Sequence, residues 1–131
     1  MAKFRRIWLI VPMWLFLTAD VTLTLAGQPP EYWAGDRGAA IEGNPLAYPL
    51  VASGPCAFAL LAAIWAGLLG AMVVGWSYPW VRGFAIAMAL GHAVGGSTWI
   101  ANLGGVWGWG LAIIYLFAAA EVSRWCWRRS R

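Results

Sequence analysis

An aspartate and a histidine interrupt long apolar runs in this sequence, Asp20 in the first run and His92, the only histidine, in the third. Ionisable side chains are costly in such surroundings and usually carry a role. A carboxylate there can accept a proton or bind a metal, and an imidazole can donate to a carboxylate, carry a proton or ligate a metal. Thr24 follows Asp20 by four residues and so shares its helical face. Ser97, Thr98 and Asn102 give the segment after His92 a polar half at the depth of Asp20. His92 lies deeper by roughly one helical turn, so pairing with Asp20 is open but not required. Each group also has a structural explanation: Asp20 bonded to threonines or loop amides, and His92 in an interhelical hydrogen bond. Metal chemistry has little support, because there is no HExxH, no histidine pair at i and i+4 and no dense set of ligands; neither a metal nor a cofactor is expected. Ser97 and His92, five residues apart on one helix, point in directions about 140° apart. A serine hydrolase is thereby discounted, and no catalytic residue is assigned.

The elements that must hold these groups follow from composition. The chain of 131 residues is 62% hydrophobic and 15% aromatic, and only 11% of it is charged, against about 25% charged in an ordinary soluble domain. A soluble domain this small would need polar residues to cover its surface, so the surface is expected to face lipid. The sequence therefore predicts an all-α integral membrane protein with four transmembrane helices, at residues 7–26, 55–75, 84–101 and 106–123, each close to the ~20 residues that cross a bilayer. Gln28-Pro29-Pro30, Ser77-Tyr78-Pro79 and Asn102 with Gly104-Gly105 separate them, and residues 1–131 are taken as one membrane domain.

Orientation follows from the basic residues. Lys3, Arg5 and Arg6 precede the first run, Arg82 sits between the second and third, and Arg124, Arg128, Arg129 and Arg131 follow the last; only Arg37 lies elsewhere. Basic residues concentrate on the cytoplasmic side of membrane spans, which predicts both termini inside and residues 27–54 as a long ordered outer loop. Such basic ends also attract anionic lipid, whereas nucleic-acid binding would need a basic stripe on a soluble face and is not expected. Tryptophans divide the same way: Trp8, Trp76, Trp80, Trp125 and Trp127 at the inner boundary, and Trp33, Trp99, Trp107 and Trp109 near the outer one, as in two aromatic belts. Trp14 and Trp65 are left deep. Cys56 and Cys126 fall on opposite sides and should not pair, and Glu121 is placed to pair with Arg124 at i+3. A competing reading makes the N-terminal run a secretory signal cleaved near Ala19 or Ala26. Small residues at Gly91/Gly95, Gly67/Ala71 and Gly104/Gly108 are expected to mark close helix contacts.

The loop is longer than a helix connection needs, a trait often tied to function. Tyr32 and Trp33 suit the interface, Glu31, Asp36 and Glu42 make the loop acidic, and Asn44 before Pro45 suggests an N-cap. Asp20 with Thr24, then Glu42-Gly43-Asn44-Pro45-Leu46, resembles the Asp…Thr…Gly…Glu-x-Asn-Pro pattern of small bacterial multi-span proteins classed as a domain of unknown function. The resemblance covers about a fifth of the chain, with a longer loop, and implies a bacterial four-helix membrane protein with Asp20, Glu42 and Asn44 as signature. It brings no reaction.

A loop folded over the bundle would gather Asp20, Thr24, Glu42, Asn44, His92 and Thr98. One expectation is a polar clasp in an accessory or scaffold subunit, seated in the bilayer of a bacterial cytoplasmic membrane and partnered by a larger membrane complex or by further copies of itself. The other is a membrane-embedded enzyme or ion- or proton-binding protein using Asp20, Glu42 and His92. Transport by an oligomer is disfavoured, since spans two and four are almost purely apolar.

Overall fold

The computed structural model describes residues 2–131, with side chains from residue 5 onward; Lys3, counted among the basic boundary residues, has its side chain outside the described set. Among the described residues the chain forms helices and turns only. α1 spans Ala2–Ala26, α2 Pro30–Trp33, α3 Tyr48–Ala52, α4 Pro55–Gly75, α5 Pro79–Leu103 and α6 Gly108–Arg129. Single 3-10 turns lie at Arg37–Ala39 and Gly105–Trp107. Four of these helices are long and apolar enough to cross a membrane.

The spans match the expected ones at α4 and run past them elsewhere, save that α6 starts at Gly108, two residues later than expected. α5 begins at Pro79 rather than at residue 84, and α6 runs on to Arg129 rather than stopping at residue 123. Proline suits the first helical turn, where its missing N–H is not needed. Arg82 and Arg124 lie within their helices and do not end them, and Arg124 pairs with Glu121 one turn back.

α1 is the helix on which the bundle is built, packing against α4, α5 and α6. A cleavage at Ala19 or Ala26 would remove this central helix. Its buried Leu9, Met13 and Phe16 meet a seam of small residues on α5, where Ala85, Ala89 and Ala93 recur every four residues with Gly96 and Ser97 beyond. Small side chains let two helix backbones approach and gain packing energy that lipid does not supply.

This seam differs from the expected glycine pairs. Gly91 lies two residues from both Ala89 and Ala93, about 200° around the helix, and its Cβ position meets open space. Gly67 likewise faces no neighbour, and it is Gly70 that lies beneath the Trp14 ring, with 3.1 Å between its Cβ position and Cζ2. The Trp14 indole donates to the Ala66 carbonyl at 2.9 Å, which fastens α1 to α4. Gly104 and Gly108 serve the α5–α6 turn: a Cβ on Gly108 would stand 2.2 Å from the Ala101 carbonyl oxygen.

Both termini meet at one end of the bundle. Arg5 donates to the Arg131 carbonyl at 2.7 Å, Arg6 to that of Trp76, and the Arg129 guanidinium lies over the rings of Trp8 and Trp125. Glu121 pairs with Arg124 as expected. Cys56 is exposed near the start of α4, at the loop end, and Cys126 is buried near the terminal end, both as free thiols.

Candidate functional site

At the opposite end, residues 27–54 fold into an ordered cover whose Tyr32 and Val51 form a small core with Phe58 of α4. Tyr32, expected at the membrane interface, is instead fully buried, and its hydroxyl donates to the Val51 carbonyl at 2.9 Å. Arg37 stacks its guanidinium on the Tyr32 ring and donates to the Tyr32 carbonyl at 2.6 Å. Gln28 ties the cover to the bundle: its amide donates to the carbonyls of Thr24 and Ile41, and its carbonyl accepts from the Ile41 N–H, each at 2.8 Å. Gly27 passes beneath the Trp99 ring, where any Cβ would stand 2.2 Å from a ring carbon.

Glu42 and Asn44 are bound locally. Glu42 accepts from the Asn44 N–H at 2.8 Å, and the Asn44 side chain accepts from the Leu46 N–H at 3.0 Å, capping the turn into α3. Neither hydrogen-bonds to Asp20 or Thr24 among the described residues. The fastening of loop to bundle falls to Gln28, which sequence reasoning treated only as the start of a loop. A glutamine just past a helix end gives no signal that separates a bridging amide from a solvated one.

α4 leans on α1, touches α5 only lightly and has no close backbone approach to α6 among the described residues. The gap between α4 and α5, floored by α1 and roofed by the loop, is a cavity of about 810 Å³. Asp20, Thr24, Glu42, Asn44, His92 and Thr98 all line it, among walls otherwise made of apolar side chains such as Leu17, Phe58, Leu61, Trp65 and Met88. Gly91, His92, Gly95 and Thr98 reach it because residues three and four apart on α5 share a face.

Within this wall one polar contact joins two spans: His92 Nδ1 lies 2.9 Å from Asp20 Oδ2. With the carboxylate ionised, Nδ1 carries the proton and donates. Both side chains are about one-fifth exposed, so the pair lies at the cavity edge and not in the sealed core. Gly95 makes room for it, since a Cβ there would stand 2.6 Å from Asp20 Oδ1. Thr98 is not part of the contact; its hydroxyl is spent on the Gly95 carbonyl at 2.7 Å, as that of Ser97 is on Val94. Thr24 is buried.

Two buried polar atoms near the pair lack partners among the described residues, His92 Nε2 and the Tyr115 hydroxyl. Tyr115 of α6 stacks edge-on against Phe16, and its hydroxyl stands 3.2 Å from the Cβ position of Gly96, with Asp20 Cα 3.6 Å from that same point. Sequence reasoning missed Tyr115, which reads as one more aromatic in an apolar run. An unpartnered buried hydroxyl is unfavourable by about 1–3 kcal/mol, which marks this corner of the bundle as polar beyond what folding needs. Comparison with known proteins finds no matching family model, no matching curated protein and no matching solved structure, so the site is interpreted from its own geometry.

Proposed function

We propose that this is a membrane-embedded binding protein that takes a small, largely apolar molecule from the bilayer into the cavity between α4 and α5 and holds its polar part at Asp20 and His92. In this proposal the end bearing the termini is cytoplasmic, the loop is outside, and the membrane is the bacterial cytoplasmic one. The observation that carries it is the Asp20–His92 contact at the edge of an otherwise apolar cavity. A cavity of this size, mostly apolar with a few convergent polar groups, has the form of a small-molecule site. The loop is fastened by Gln28 and Tyr32 without help from Asp20, so a clasp does not account for the carboxylate.

An accessory or scaffold subunit is the competing proposal, supported by the apolar outer faces of α4 and α6. One purification in mild detergent, with mass spectrometry of both small molecules and proteins, separates the two. Binding predicts a co-purifying small molecule that is depleted in folded Asp20→Asn protein. A stoichiometric protein partner retained by Asp20→Asn, with no small molecule, would overturn it in favour of the subunit.

A further inference from the structure

The charges and rings of the cavity restrict what it accepts. Two carboxylates line it, Asp20 and Glu42, and no lysine or arginine does. Arg37, the basic residue in the loop, is committed to the carbonyl and ring of Tyr32. The one cationic group the wall can produce is protonated His92, already bonded to Asp20. A carboxylate or phosphate brought into these walls would meet repulsion in a setting that screens charge poorly. The rings of Trp65, Trp99 and Phe58 also line the cavity, and aromatic faces attract cations, most of all when water is excluded.

Resting on the binding role above, we propose that the cavity is a site for a lipophilic cation, an amine or quaternary onium group carried on an apolar body. The cation sits toward Asp20 and Glu42 among the indole rings, and the body occupies the space between Leu17, Leu61 and Met88. His92 sets the pH dependence. When the imidazole is protonated it neutralises Asp20, and when it is neutral the carboxylate keeps its charge for the ligand. Asp20 on α1 is the titratable group bonded to it, Glu42 of the loop lines the same cavity, the Tyr115 hydroxyl on α6 stands beside Gly96, and α4 brings no ionisable side chain to the cavity wall. Proton and ligand cation therefore compete, and affinity rises with pH, by up to about tenfold per unit if one proton leaves for each cation bound.

The test uses full-length protein in nanodiscs of zwitterionic lipid and two probes of one shape and opposite charge, tetraphenylphosphonium and tetraphenylborate, followed by tryptophan fluorescence and calorimetry. The phosphonium should bind saturably and the borate should not. Asp20→Asn should weaken the phosphonium by about tenfold or more, the loss of a strong charge contact. Glu42→Gln, which keeps the acceptor for the Asn44 N–H, should weaken it a few-fold, as for a half-exposed charge. His92→Gln, still able to donate to Asp20, should remove the pH slope. Gly91→Leu, filling the cavity from a position facing open space, should block binding. Equal binding of both probes, blocked by Gly91→Leu, would overturn the cation preference while leaving the binding site standing. Saturable phosphonium binding, above that of empty nanodiscs, that is insensitive to Gly91→Leu, or no saturable binding of either probe alongside a cavity holding only bulk bilayer lipid, would overturn both.

Discussion

Asp20 and His92 show how far residue type alone carries. A carboxylate and a lone imidazole in apolar runs are conspicuous without any structure, because burying either without a partner is so unfavourable. An interhelical hydrogen bond for His92 is legible in the sequence and is found, while the choice of Asp20 as its partner stays open there, since it depends on how α1 and α5 rotate against each other. What admits the carboxylate beside His92 is small: Gly95, where a Cβ would stand 2.6 Å from Asp20 Oδ1. Gly95→Ala should push the carboxylate away from His92 and lower stability by about 1–3 kcal/mol, the usual range for an overpacked site, with loss of phosphonium binding. Gly91→Ala, four residues away and facing open space, should stay within about 0.5 kcal/mol of the parent protein. Thermal unfolding of both variants in nanodiscs makes the comparison, and equal destabilisation would remove Gly95 from its role. Tyr115 and Gln28 lay beyond sequence reasoning for a different reason: neither stands out by type, and their importance comes from what other elements place against them.

At the level of elements, hydrophobic length located all four spans, and only their ends differ, since α5 starts at Pro79 itself and α6 runs on to Arg129. The loop's length was legible in the sequence, but its internal contacts were not. Tyr32 carries the properties of an interfacial residue, an apolar ring with one polar tip, and the same properties suit it to a buried site whose tip meets the Val51 carbonyl. The loop's order should therefore depend on two side chains: Gln28, which bonds only backbone groups, and Tyr32, which packs with Phe58 of α4 and Val21 and Leu25 of α1. Gln28→Leu removes one acceptor and one amide that serve Thr24 and Ile41 and leaves those backbone groups unpaired. Hydrogen exchange across residues 27–54 should speed up markedly, with a local loss of about 1–3 kcal/mol. Tyr32→Phe should produce a smaller change of about 1 kcal/mol. In both variants α1 and α5 should keep their protection. Loss of protection throughout the bundle would mean that the loop and the spans fold as a single unit.

For the molecule as a whole, the scarcity of charge makes its placement informative. An even number of spans brings both termini to one end, and there the side chains of Arg5, Arg6, Arg82, Arg124, Arg128, Arg129 and Arg131 gather, while the loop end carries Arg37 with Glu31, Asp36 and Glu42. This asymmetry predicts that the loop lies outside the cytoplasm, and it also matters for the cavity, whose roof is that loop. A cationic ligand would then approach from the acidic outer side or from the bilayer between α4 and α5, not past the arginines. The two cysteines do not form a simple reporter pair, because Cys126 is fully buried and would resist labelling from either side. Cys56 is exposed at the loop end, and Ser77, exposed in the turn between α4 and α5, marks the other. With Cys126→Ser as background, a thiol reagent that cannot cross membranes should label Cys56 in intact cells. In a Ser77→Cys protein also lacking Cys56, it should label only after the membrane is opened. The reverse pattern would place the basic end outside. It would also turn the cavity roof toward the cytoplasm, so that any lipophilic cation would be captured from the interior of the cell.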